Sequence, residues 1–121
     1  MAKINLTPLA KWDEAASVLV HEMEFGARVI AVFKTMNDAG NAFDAVCRLC
    51  LPKANGAVAQ RANTRMTIKQ GDGSIRFTSE RVQLRGCSCD VFYLDPGATL
   101  SEWIVPIVMS AKATFNVGGA A

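Results

Sequence analysis

The feature that most constrains the fold is the apolar run Val91–Leu94, which leads directly into Asp95 and Pro96. Four consecutive apolar residues indicate a strand that is covered on both faces of a sheet. Such a strand delivers the carboxylate that follows it to the edge of the sheet. Proline then ends the pairing, because it has no backbone N–H to donate. The pattern predicts a central strand over 91–95.

Helical and strand patterns alternate along the rest of the chain, which predicts an α/β fold. Apolar residues recur at helical spacing in three segments. One further segment is rich in β-branched residues, and another alternates polar with apolar residues. The sequence Gly71-Asp72-Gly73 is a strong turn signal. The expected elements are a helix over 8–25, a strand over 27–33, a helix over 36–50, a β-hairpin over 64–78, the strand over 91–95 and a helix over 99–113.

Capping signals support the helix boundaries. Thr7-Pro8 is a favourable helix start, and Gly26 is a favourable stop. Thr35 with Asp38 resembles a capping box before the second helix. The run Thr99–Glu102 is a second capping box, but Pro106 follows inside that helix, so a kink or a later start is the alternative.

The chain has 121 residues, which suits one domain over 1–121. Residues 52–63 show no periodicity and are expected to form a mobile loop. The tail, 118–121, is rich in glycine and alanine and is expected to be frayed. Half of the residues are apolar and 20% are charged, which argues against global disorder.

The net charge of +2 is too small to indicate nucleic-acid binding by itself. No apolar run approaches the roughly 20 residues of a membrane helix, and Met1–Asn5 lacks the apolar core of a signal peptide. We therefore expect no membrane partner and a cytoplasmic location.

Four cysteines form two close pairs, Cys47 with Cys50 and Cys87 with Cys89. Two such pairs can make a tetrahedral zinc site. The favoured interpretation is that the thiols act as small apolar groups, because Cys47 and Cys50 lie within a helical pattern and have no glycine between them. We therefore expect no metal and no cofactor, with zinc as the weaker alternative.

Five arginines are the candidate binding residues. They are Arg61, Arg65, Arg76, Arg81 and Arg85. They could contact phosphate groups or the acidic surface of a partner, and the alternative is a solvated loop and sheet edge. His21 is interpreted as a surface or interface residue rather than a catalytic base. Trp12 and Trp103 are expected in the core, and an exposed docking patch is the less favoured interpretation of Met23 with Phe25.

From Arg28 onward, the order of signals resembles the ATPase domain of phage large terminases and related helicase-like P-loop enzymes. The similar segments are the strand Val29–Val32, Asp38-Ala39 with Phe43, the hairpin Gly71–Phe77, Leu84-Arg85-Gly86 and the strand Val91–Asp95. The resemblance covers about 27–112. It implies an ATPase-like fold in which Asp95 stands where a magnesium-binding acid would be.

The chain departs from that family's pattern at the residues that carry the chemistry. No segment fits G-x-x-x-x-G-K-[ST], whose glycines let backbone N–H groups approach phosphates. Pro96 stands where a second acid would orient water. Asp95 is therefore interpreted as a cap for the turn at Pro96-Gly97, with magnesium binding as the alternative. We expect no catalytic residues and no enzyme activity.

Three functional hypotheses remain. The first is a non-catalytic phage or mobile-element protein with a degenerate ATPase-like fold that binds another macromolecule, such as a motor, a host factor or a second copy. The second is a nucleic-acid-binding module that uses the five arginines. The third is a virion or assembly component. If a phage encodes the chain, the expected location is the cytoplasm of the host cell, with the virion as the alternative.

Overall fold

The computed structural model describes residues 6–9, 11–50, 57–62, 65–82 and 87–117. The predicted frayed tail, 118–121, lies outside them. Among the described helices, none is both long and apolar enough to cross a membrane.

The described residues form one mixed sheet of seven strands. These are β1 (Thr7–Leu9), β2 (Arg28–Phe33), β3 (Val58–Ala62), β4 (Arg65–Gln70), β5 (Gly73–Ser79), β6 (Val91–Leu94) and β7 (Ala113–Val117). The strand order is β1-β7-β6-β2-β5-β4-β3. The neighbours β1, β7, β6, β2 and β5 are parallel to one another. Strand β4 pairs with β5 in antiparallel direction, and β3 pairs with β4 in the same way. The predicted α/β fold, its central strands and its hairpin are confirmed.

Within the described ranges, three helices accompany the sheet, namely α1 (Trp12–Glu24), α2 (Met36–Cys50) and α3 (Val105–Ser110). The predicted bounds of α2 are confirmed, and the backbone N–H of Asp38 donates to Thr35 Oγ1 at 3.1 Å. Gly26, which has a φ of +90°, follows the end of α1 as predicted. Its N–H donates to the carbonyl of Met23 at 2.9 Å.

Two predicted helices are shorter than expected because strands occupy part of their ranges. The helix predicted over 8–25 begins at Trp12, since β1 pairs Thr7 with Phe115 of β7. The helix predicted over 99–113 contains only α3, followed by β7. The Thr99 capping box is wrong, because the N–H of Thr99 donates to Glu80 Oε1 at 3.0 Å. Pro106 instead lies in the first turn of α3, where its missing donor costs little.

Part of the predicted loop over 52–63 is a strand. Val58–Ala62 forms β3, which pairs with β4 in antiparallel register, so that Gln60 lies opposite Thr67. Residues 51–56 and 63–64 lie outside the described part of the chain. Because β3 is an edge strand, its position is set by pairing with β4 rather than by an apolar pattern of its own.

The described part of the chain has two hydrophobic clusters, which lie on opposite faces of the sheet. Successive strand residues face opposite sides, so Ala31 and Tyr93 contribute to one cluster while Val32 and Phe92 contribute to the other. The larger cluster lies under α1 and α2, and the smaller one lies under α3. Trp12 and Trp103 pack against the larger and the smaller cluster respectively.

Asp90 joins the amino ends of three strands. Its Oδ2 accepts a 2.9 Å hydrogen bond from the N–H of Arg28 and lies 3.5 Å from Arg28 Nε. Its backbone carbonyl accepts from the N–H of Lys112 at 2.8 Å. These bonds from Arg28 hold the pKa of Asp90 below its usual value.

Candidate functional site at the carboxyl edge of the sheet

The parallel strands β2, β5 and β6 end side by side, at Phe33, Ser79 and Leu94. In open α/β sheets, ligands bind in the crevice beyond the carboxyl ends of the strands. Asp95 follows β6 at this edge, and its N–H donates to the carbonyl of Val32 at 2.9 Å. The carboxylate of Asp95 therefore lies at the edge where α/β folds bind their ligands.

Asp95 is tied to its own turn. Its Oδ2 accepts a 3.4 Å hydrogen bond from the N–H of Gly97, and the hydroxyl of Tyr93 donates to its Oδ1 at 3.3 Å. Burial is the main cause that raises the pKa of Asp95, and the nearby charge of Asp38 adds to it. Burial and the carboxylate of Asp95 also raise the pKa of Tyr93. These contacts fit the predicted turn-capping role of Asp95.

A cleft of about 340 Å³ opens beside Asp95. Its lining combines aromatic, small and polar side chains from α1, β2, α2 and the end of β6, namely Trp12, Phe33, Asp38, Asn41, Ala42, Ala45 and Asp95. Trp12 packs edge-on against Phe33 at 5.9 Å between ring centroids and lies 5.5 Å from the Tyr93 ring. Trp12 packs against the larger cluster as predicted, but it is only half-buried and also forms one wall of the cleft.

A second cleft of about 410 Å³ lies beyond the ends of β2 and β5. It is lined by Lys34, Thr35, Met36, Ser79, Glu80, Arg81 and Val82. Glu80 is held in place, because its N–H donates to the carbonyl of Phe33 at 2.7 Å and its own carbonyl accepts from Trp103 Nε1 at 2.9 Å. Arg81 is exposed at this cleft.

Two of the connections from a strand to the following helix at this edge are short. Only Ala10 and Lys11 separate β1 from α1, and only Lys34 and Thr35 separate β2 from α2. The connection from β6 to α3 is longer and contains one glycine, Gly97. A phosphate-binding loop needs several consecutive residues with glycines between its strand and its helix.

The predicted arginine group is divided by the sheet. Arg61 faces α2, where it pairs with Asp44 at 3.0 Å and lies 5.9 Å above the ring of Phe43. Arg76 lies on the opposite face, because its neighbours Ile75 and Phe77 point into the larger cluster. Arg65 begins β4 opposite Ala62, and Arg85 lies outside the described residues.

The cysteine pairs are also separated. Cys47 packs with the larger cluster, whereas Cys87 and Cys89 pack with the smaller one across the sheet. Burial raises the pKa of the Cys47 thiol and raises that of Cys89 to about 11, so both are neutral thiols at physiological pH. Within the described ranges, no three potential metal ligands come together. The structure thus offers no support for the four-cysteine zinc alternative.

His21 does not approach either cleft. Its ring lies 4.7 Å from that of Phe25 in an edge-on arrangement at the end of α1, and both side chains are exposed. Met23, by contrast, is completely buried. The less favoured docking patch of Met23 with Phe25 does not form, because helical periodicity turns Met23 towards the sheet.

Sequence reasoning missed three residues of this edge: Tyr93, Asp38 as a neighbour of Asp95, and Glu80. Tyr93 could have been found, since it lies two residues before Asp95 and shares its face of the strand. Asp38 and Glu80 could not, because their contacts depend on how distant segments pack.

Comparisons with known proteins identify a fold. No protein-family model matches the chain, and no curated protein matches it. A solved structure, the ATPase domain of the large terminase of Thermus phage P74-26, matches 92% of this chain with a TM-score of 0.60 and 18% sequence identity. The chain spans 58% of the length of that structure. The chain thus has a terminase-like P-loop fold, as the resemblance in its sequence implied.

Proposed function

We propose that this chain is a phage or mobile-element protein that uses an ATPase-like fold to bind another macromolecule and does not hydrolyse nucleotide. The similarity to a phage terminase domain supports the origin, and the carboxyl edge of the sheet supports the absence of hydrolysis. The partner in this proposal is a motor, a host factor or a second copy of the chain.

One observation carries the proposal. The strand that would deliver the magnesium-binding acid ends in Asp95, but that carboxylate accepts hydrogen bonds from Tyr93 and Gly97, and Pro96 follows it. A residue that could orient an attacking water is therefore missing directly after Asp95. The two-residue connections after β1 and β2 also leave no length for a phosphate-binding loop.

A calorimetric titration with magnesium-ATP tests this proposal. We expect no measurable heat of binding for the wild-type protein. Asp95→Asn is the matched variant, because it keeps the shape of the side chain and removes the charge that would hold magnesium. Micromolar binding by the wild type that disappears in Asp95→Asn, together with release of phosphate from the bound nucleotide, would overturn the proposal.

A nucleic-acid-binding module is the second candidate, and the distribution of charge favours it. The strands from β2 to β5 contain Arg28, Arg61, Arg65, Lys69 and Arg76 and no acidic residue. Arg28 and Arg61 already have carboxylate partners in Asp90 and Asp44, so Arg76 and Arg81 remain for phosphates among the strand and edge arginines whose side chains the structure describes. This candidate would be supported if the protein retains duplex DNA and the retention weakens as salt is added. The retention should also weaken in the variants Arg76→Gln and Arg81→Glu.

A further inference from the structure

The two edges of the sheet differ in how they are protected against a further strand. At one edge, β1 has only three residues, with Pro8 at its centre. A short strand and a proline are two of the features by which proteins keep other strands from pairing with a sheet edge. At the other edge, β3 has five residues without proline or lysine, and its register with β4 runs from Val58 to Ala62 without a bulge. Among the described residues, no strand pairs with the outer edge of β3.

Arg61 is the only charged residue of β3, and its charge is drawn away from the edge. The guanidinium lies over α2, 3.0 Å from Asp44 Oδ1 and 5.9 Å from the centre of the Phe43 ring. Gly40 leaves room for it, because a Cβ there would come within 3.1 Å of Arg61 Nη2. A charge on an edge strand normally opposes pairing with another strand. Here a carboxylate balances the charge, and α2 holds it on one face of the sheet.

The other face of β3 presents an apolar and a neutral polar side chain. Val58 and Gln60 share this face, because Ala59 between them packs against the larger cluster. Val58 is 59% exposed, and Gln60 is exposed as well. A regular edge strand with an exposed β-branched residue is a surface to which a further strand can add through its backbone. The kind of partner that fits this edge is therefore an extended strand.

We propose that this partner is β3 of a second copy of the chain, paired in antiparallel direction about a two-fold axis. The inference rests on the proposed function and names its partner. All five residues of β3 pair only when Gln60 lies opposite Gln60 of the second copy. Val58 then lies opposite Ala62, and Arg61 lies opposite Ala59. Centring the pairing on Arg61 would place two arginines opposite each other, which destabilises a sheet. The match of the strand to itself in length and charge favours a second copy over a foreign strand.

Pairing about a two-fold axis stops at a dimer. Both copies use the same edge, and the edge at β1 is protected, so the contact does not propagate into a fibre. Five residues at about 3.4 Å extend the contact over only about 17 Å. A standard interface buries about 800 Å² per partner, which is more than one pair of short strands covers. We therefore expect a weak dimer that dissociates on dilution.

Sedimentation velocity from about 10 µM to about 1 mM protein tests the proposal. The average mass of the wild type should double as the concentration rises and then level off. Gln60→Lys and Gln60→Glu each place like charges opposite each other, so each variant alone should associate about tenfold more weakly. In an equimolar mixture of the two variants the facing charges are opposite, and association should return at least to the level of the wild type.

Ser17→Lys and Ser17→Glu are the matched controls, because Ser17 is exposed on α1 and these variants change the net charge in the same way. Neither should alter dimer formation. The proposal would be overturned by a wild type that stays monomeric at about 1 mM or grows beyond a dimer. It would also be overturned if either variant at position 60 dimerised as well as the wild type, or if the mixture associated no better than its components.

Hydrogen exchange distinguishes a second copy from other ways of covering the edge. The amides of β3 that point away from β4 should exchange freely in the dilute monomer and become protected in the concentrated dimer. Protection already present in the dilute monomer would show that another segment of the same chain covers the edge, and the proposal would fail. These failures would leave the proposed function standing, because that proposal is tested by the titration with magnesium-ATP.

Discussion

Gly73 sets the distance between the sheet and the end of α1. A Cβ at this position would overlap the backbone carbonyl of Met23, which cannot move without shifting the helix end. We expect Gly73→Ala to lower the free energy of unfolding by about 2 kcal/mol, because overpacking forces the backbone apart. Urea denaturation followed by circular dichroism measures the change.

Gly97→Ala is the control for this substitution. A Cβ at Gly97 would meet its nearest atom, Asp95 Oδ2, at 3.6 Å, which is an ordinary contact. This variant should unfold at nearly the same urea concentration as the wild type. Equal stability of the two alanine variants would show that the close approach at Gly73 does not limit packing.

The predictability of single residues depended on how local their contacts are. The turn-capping contact of Asp95 with Gly97 spans two residues, and the sequence indicated it correctly. The cleft that joins Trp12, Asp38 and Asp95 could not be predicted, because three separate elements bring these residues together.

At the scale of elements, the start of α2 depends on one hydroxyl group. Thr35 Oγ1 accepts from the N–H of Asp38, one of the donors that a helix start leaves without a partner. We expect Thr35→Ala to cost about 1 kcal/mol of stability, while Thr35→Ser keeps the acceptor and most of the stability. Thermal unfolding of both variants measures the difference, and equal losses would contradict a capping role.

Elements with strong apolar patterns were predicted, and elements defined by pairing were not. The sequence indicated β2, β6 and α2 because their side chains are buried in periodic or continuous runs. It missed β1, β3 and β7, which are short and lie at or near the sheet edges. Thr7-Pro8 satisfies the rules for a helix start, but pairing with β7 overrides that local preference.

At the scale of the whole molecule, the two hydrophobic clusters share the central strands. Alternate residues of β2 and β6 point into each cluster, so neither should unfold while the other persists. Trp12 reports on the larger cluster and Trp103 on the smaller one. We expect Trp12→Phe and Trp103→Phe, each with one remaining tryptophan, to unfold in urea with fluorescence and circular dichroism midpoints that coincide.

The fluorescence and circular dichroism midpoints are compared within each variant. This is the internal control, because Trp103→Phe also removes the hydrogen bond to the carbonyl of Glu80 and so changes the overall stability of that variant. A fluorescence midpoint that departs from the circular dichroism midpoint in either variant would show that the two sides of the sheet unfold separately.

The pairing of β1 with β7 has a consequence for synthesis of the chain. Thr7 is among the first described residues to leave the ribosome, but its partner Phe115 is among the last. The edge of β6 that β7 covers therefore stays unpaired until β7 has been synthesised. Closing this long loop is slow compared with forming α1 or the hairpin of β4 and β5. Completion of the sheet is consequently a late step in folding, and the edge of β6 stays open to other contacts until then.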